Sequence, residues 1–96
     1  MPTLRIEHPI SDYDTWKAAF DRDPVQRKQS GVRRYAIHQP VDDAHYVMVD
    51  LEFDDTTEAE ALLSRLQEMW NSGAAAPALA GDPQTRIIDT LESTEL

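Results

Sequence analysis

Polar and apolar positions alternate through Thr3-Leu4-Arg5-Ile6-Glu7-His8, the period of a half-buried strand with Leu4 and Ile6 on one face. Pro9 offers no N–H to a ladder and ends it. Beyond Ser11 the period lengthens to that of a helix. Tyr13, Trp16 and Phe20 form an aromatic stripe, Ser11 with Asp14 reads as a weak capping box, and the helix is predicted to run to about Asp21. Asp23-Pro24 reads as the start of a second short turn through about Gln29, closed by Ser30-Gly31. A second strand is predicted over Val32–His38, its inward face left open because Val32 and Ala36 compete with Tyr35 and Ile37. After a turn-rich link comes the clearest strand, His45–Phe53, with Val47, Val49, Leu51 and Phe53 on one side and Tyr46, Met48, Asp50 and Glu52 on the other.

Asp54-Asp55-Thr56 then caps a second helix, with Thr57 and Glu60 as its capping box. Ala59, Leu62, Leu63, Leu66, Met69 and Trp70 make a broad apolar stripe, and Asn71-Ser72-Gly73 stops the helix. A loop rich in Ala, Pro and Gly is expected from Ala74 to Pro83, then a last strand over Thr85–Leu91. The order strand, helix, strand, strand, helix, strand is that of a ferredoxin-like α+β domain. It predicts an antiparallel four-stranded sheet over residues 1–92 with both helices on one face, and a frayed tail at 93–96. Right-handed crossovers are expected to set the first and third strands side by side in the middle, as a parallel pair. His8 would then end its strand at the opposite end of the sheet from His38 and His45.

Composition narrows the class. Ninety-six residues make one domain, and the absence of cysteine excludes disulfides, thiolate nucleophiles and Cys-ligated metal. A net charge of −9 argues against nucleic acid and anionic membrane as partners. No apolar run approaches a membrane span and the N-terminus lacks a signal-peptide core, so the expected compartment is the cytoplasm. Charge is uneven: seven of the nine basic residues but only five of the eighteen acidic ones precede Tyr35. Arg22, Arg27, Lys28, Arg33 and Arg34 form a local basic patch that can steer a carboxylate or phenolate or pair with acidic groups of the protein.

The element order, the Trp-bearing first helix (Tyr13-Asp14-Thr15-Trp16), the pattern Tyr46-Val47-Met48-Val49-Asp50-Leu51-Glu52-Phe53 and the second helix ending in Trp70 together resemble the dimeric α+β-barrel superfamily. Its best-known branch is the antibiotic-biosynthesis monooxygenases, and the resemblance spans about Thr3 to Leu91, most closely to small uncharacterised members. It implies two chains paired sheet to sheet as a homodimer, with a ligand held between sheet and helices or inside the barrel. It also implies a cofactor-free monooxygenase-like enzyme acting on a small aromatic or anionic molecule; a non-catalytic small-molecule-binding or structural dimer is the alternative. The family's Asn is missing from any strand, since Asn71 is the only one and ends a helix, and the second helix has no His, which argues against haem breakdown. Of the groups the quinone-forming branch uses, Trp70, Tyr35, Tyr46 and Arg86 supply the types, but no catalytic set transfers residue by residue.

The residues themselves offer three candidate sites. His8 shares the face of Leu4 and Ile6 where the strand meets the first helix, and is a candidate general base; the blander reading is a histidine hydrogen-bonded to a helix end. Trp16, Phe20, Phe53, Met69 and Trp70 either line a pocket for a flat ligand or simply form the core. Arg5, Glu7, Tyr46, Met48, Asp50 and Glu52 share the other face of the sheet, where a polar network around Tyr46 and Met48 suits a dimer interface. No bound metal is expected: His38 and His45 flank one hairpin with Asp42 and Asp43, a poor cage for an ion that wants three fixed ligands.

Overall fold

The computed structural model describes residues 1–73 and 80–96. Strands β1 (Pro2–Pro9), β2 (Arg34–His38), β3 (Tyr46–Glu52) and β4 (Gln84–Asp89) and helices α1 (Tyr13–Asp21) and α2 (Thr56–Asn71) follow one another as β1-α1-β2-β3-α2-β4. The sheet order is β2-β3-β1-β4, a ferredoxin-like α+β fold. Most of the loop expected over Ala74–Pro83 falls outside the described residues.

All neighbouring strands are antiparallel, including the central pair, which corrects the parallel arrangement expected from the sequence. The crossover through α1 makes β1 and β2 parallel to each other, and β3, returning from β2 by a hairpin, slots between them and runs against both. One consequence is a second correction. The end of β1 lies beside the start of β3, with His8 opposite Val47 and Ile10 N–H donating to the His45 carbonyl at 2.9 Å. All three histidines therefore lie toward one end of the sheet.

Alternation then sorts the side chains. Leu4, Ile6, Val47, Val49, Leu51 and Phe53 are buried on the helix side with Ala59, Leu62 and Leu66 of α2. The register settles the faces of the edge strands: Tyr35 and Ile37 stand opposite Leu51 and Val49, and Ile87 opposite Leu4, all on the helix side. Val32 is buried before β2 begins, so its competition with that strand's alternation was only apparent.

Both helices are capped by aspartate, the first one residue beyond the expected Ser11 and the second at Asp55, within the expected capping run Asp54-Asp55-Thr56 but not at Thr57. Asp12 Oδ1 accepts from Thr15 N–H at 2.9 Å and Asp55 Oδ1 from Glu58 N–H at 2.8 Å. Aspartate serves because its side-chain oxygen reaches an orphan N–H of the first turn. Gly73, at φ +78°, closes α2 in the left-handed conformation usual at a helix C-terminus. The segment after α1 forms turns rather than a helix, because Asp23 and Gln26 both adopt positive φ (53° and 51°). At Gly31, φ +101°, a Cβ would collide with the Glu58 carboxylate.

Of the nine residues of α1, only Trp16 is buried. α1 therefore buries one side chain, with Ala19 and Phe20 only partly buried against the core, while α2 buries three. No helix of the described residues is long and apolar enough to cross a membrane. Phe53 is fully buried whereas Trp70 is half-buried. Phe53→Ala should therefore cost about 3–5 kcal/mol in a urea titration and Trp70→Ala under about 2 kcal/mol; equal losses would place Trp70 in the core.

Candidate functional site

A cavity of about 210 Å³ lies between the helices and the sheet, beside the lightly buried α1. Ile6, His8, Val49 and Leu51 of the sheet line it, with Trp16, Ala19 and Phe20 of α1, Leu66, Met69 and Trp70 of α2, and Arg22, Pro24, Val25 and Arg27 of the turn segment. Of the sequence-predicted pocket residues, Trp16, Phe20 and Trp70 come together here. Phe53 does not, because it follows β3 at the end where its N–H bonds the Pro2 carbonyl, away from His8. Aromatic rings form a row along the wall. His8 and Trp16 centroids lie 6.2 Å apart, Trp16 stacks on Phe20 at 5.1 Å, and Phe20 meets the edge of Tyr35 at 5.1 Å.

His8 is buried, with 3 % of its surface exposed. Its Nδ1 donates to the Pro9 carbonyl at 2.9 Å, since a carbonyl can only accept. Nε2 has no protein partner among the described residues, and no buried side-chain nitrogen or oxygen there is sealed off without one. Nε2 therefore meets the open space of the cavity. Burial pushes the imidazole below its ordinary pKa of about 6.5, with the Pro9 carbonyl pulling partly the other way. Near neutral pH the ring is uncharged, its proton on Nδ1 and its lone pair on Nε2.

The opposite face of the sheet is polar and half-buried. Arg5 grips Asp50 with both ends of its fork, Nε to Oδ1 at 2.8 Å and Nη2 to Oδ2 at 2.9 Å, and holds the Asp50 carboxyl below the usual carboxylate range. His38 Nε2 lies 3.6 Å from the same carboxylate. Tyr46 Oη donates to Glu7 at 2.8 Å, a bond that, with burial, raises the phenol's pKa, and Arg34 pairs with Glu52 at 3.3 Å. Met48 sits between Glu7 and His38 in the register. The residues expected at an interface, Arg5, Tyr46, Met48, Asp50 and Glu52, thus share one face, their polar groups held in separate pairs around Met48. A hollow of about 390 Å³ beside them is lined by Arg5, Glu7, Gln84, Thr85, Arg86 and Ile88.

Among the described residues no three His, Asp or Glu side chains converge as a metal site. His38 is exposed and faces Asp50, and His45 Nδ1 bonds the Ser11 carbonyl at 2.9 Å. The sheet also divides the quinone-branch residue types, with Trp70 and Tyr35 on its helix side and Tyr46 and Arg86 on the other.

No protein-family model and no curated protein matches the sequence. Solved structures do match the fold. SnoaB, a cofactor-independent oxygenase from Streptomyces nogalater, superposes with a TM-score of 0.73 at 10 % identity over 96 % of this chain and 94 % of its own. A monooxygenase from the ActVA-Orf6 gene of Streptomyces coelicolor, solved with nanaomycin D, gives 0.70 at 14 % identity over 99 % and 91 %. A dimeric ferredoxin-like protein from an uncultured marine organism gives 0.67 at 12 % identity over 97 % of each chain. The fold is one shared with these proteins and with an antibiotic biosynthesis monooxygenase structure from Bordetella bronchiseptica, at a TM-score of 0.72 and 8 % identity over 95 % of this chain and 98 % of that one. On this monooxygenase-like fold the cavity wall formed by the turn segment is the part that sequence patterning missed. Its residues lie in turns broken by two positive φ angles, so no period of 2 or 3.6 runs through them. Two signals pointed to it: the basic patch that includes Arg22 and Arg27, and the spacing of Asp23 and Arg27, four residues apart and paired at 3.4 Å.

Proton linkage at His8 sets the pH response of stability. The folded imidazole binds its proton more weakly than the unfolded one, so the stability it lends is full above about pH 6.5 and falls as pH drops below that value. His8→Gln should abolish this part of the slope between about pH 7.5 and pH 5.5 in urea titrations. A ring titrating at or above the ordinary value by NMR would instead place His8 in water.

Proposed function

We propose that the chain works as a homodimer closed sheet to sheet, each protomer taking a small, flat aromatic molecule with an acidic hydroxyl into the cavity and oxygenating it without a cofactor. The observation that carries this reading is the free Nε2 of neutral, buried His8 at the end of an aromatic-walled cavity. The fold shared with SnoaB, a cofactor-independent oxygenase, supports the reaction class, and the dimeric ferredoxin-like neighbour supports the assembly. In this reading His8 Nε2 accepts the hydroxyl proton, and the electron-rich phenolate supplies the electrons that dioxygen takes up. One oxygen atom replaces a ring hydrogen to make a quinone, and the other leaves as water with that hydrogen and the hydroxyl proton.

One observation favours the second reading, binding without turnover. The only asparagine, Asn71, is exposed at the end of α2 and does not line the cavity. Oxygen uptake with 1,5-dihydroxynaphthalene separates the two. Oxygenation consumes one dioxygen per quinone formed, without peroxide, and His8→Gln lowers the rate by a factor on the order of 10². Binding by calorimetry without oxygen uptake supports the non-catalytic reading.

For the assembly, light scattering at micromolar concentration should give about twice the 10.9 kDa chain mass. Met48→Lys sets a second cation among the half-buried groups at the centre of the polar face and should shift the population toward monomer. A wild-type mass of one chain overturns the dimer.

A further inference from the structure

Among the cavity-lining residues there is no carboxylate, but there are two arginines, in a chain of net charge −9. Arg22 is exposed at the rim, and its side chain makes no ion pair or hydrogen bond among the described residues. Arg27 is different. Its side chain is only 14 % exposed, and the guanidinium carbon lies 3.8 Å from the centroid of the Phe20 ring and 5.2 Å from that of Tyr35. Nη1 donates to the Phe20 carbonyl at 2.7 Å and faces Asp23 Oδ1 at 3.4 Å, an oxygen that already accepts the Arg27 backbone N–H at 2.9 Å. Nε and Nη2 have no protein acceptor among the described residues, and none of their atoms is sealed without a partner. These two donors form the edge of the guanidinium that matches both oxygens of a carboxylate. Stacking on Phe20 fixes the group, so its two open donors are held in one orientation where an anionic group can meet them.

The row of rings therefore has an acceptor at one end and a cation with free donors at the other: His8 against Trp16, Arg27 against Phe20. We propose that the Nε/Nη2 edge of Arg27 anchors a carboxylate, so that the cavity selects aromatic hydroxycarboxylates, with the carboxylate on Arg27 and the hydroxyl toward His8. The inference rests on the aromatic-cavity reading above and narrows its substrate class. Arg22 adds attraction at the rim but no fixed contact, and its charge is screened by salt.

Calorimetry with 6-hydroxy-2-naphthoate and 2-naphthol, which differ only by the carboxylate, tests it. The wild type should bind the naphthoate at least about tenfold more tightly, the scale of a charge-assisted hydrogen-bonded pair. Arg27→Gln should erase that preference while leaving 2-naphthol affinity within about twofold, Arg27→Lys should restore only part of it, and Arg22→Gln should leave most of it at moderate salt. Equal binding of the two compounds by the wild type overturns the carboxylate site and leaves the aromatic cavity standing. Binding of neither overturns the cavity reading and this inference with it. A full preference in Arg27→Gln overturns the assignment to Arg27. Should that variant not fold, the wild-type comparison still decides whether the carboxylate is recognised.

Discussion

Leu4, Ile6 and His8 stand opposite Leu51, Val49 and Val47 across the central antiparallel pair, and Arg5 and Glu7 stand opposite Asp50 and Met48. This register holds the two faces of the sheet apart. A slip by one residue would drive Arg5 and Glu7 into the helices and turn His8 out to water. With the register kept, one side of β1 supplies Ile6 and His8 to the cavity, and the other supplies the half of an ion pair that Asp50 completes. The apolar side closes the core of the chain. The polar side pairs its charged groups within the chain and keeps Tyr46 and Met48 half-buried among them.

The cavity follows from unequal seating of the helices. α2 buries Ala59, Leu62 and Leu66 and lies close on the sheet. α1 fully buries Trp16 alone, and Phe20, stacked on that ring, extends the wall. The turn segment then crosses the opening in a conformation that two non-glycine residues with positive φ must maintain. Hydrogen bonds hold it: Asp23 to the Arg27 N–H, Ser30 Oγ to the Val25 carbonyl at 2.8 Å, and Arg65 to that same carbonyl and to Ser30 Oγ. Such strain, held by surrounding contacts, is found where a chain positions groups for a ligand.

Electrostatics run against the overall charge at this place. A chain of net charge −9 repels anions at long range, yet the cavity wall carries cations and no carboxylate. The acids are spent elsewhere, on the helix caps Asp12 and Asp55 and in pairs such as Arg33 with Asp54 at 2.7 Å and Lys17 with Asp21 at 2.6 Å. Local composition at the site, rather than net charge, is what a ligand meets within a Debye length.

Element order, the split faces of β1 and β3, the stripe of α2 and the helix-side placement of His8 were legible in the sequence. Each rests on a local period, and a local period survives whatever the chain packs against. The fold class followed from the order of elements. The direction of the central pair did not, because it depends on which strand is inserted between the two that a crossover joins. That error also misplaced His8 relative to the other histidines. The faces of β2 and β4 needed partners across the sheet, since five or six residues with mixed polarity hold no clear alternation. Only the tertiary structure decided that Phe53 belongs to the core and Trp70 to the cavity, because both lie on apolar faces and differ only in which end of the sheet they cover. It alone brought Arg27 onto Phe20, across a turn whose backbone angles no residue pattern encodes.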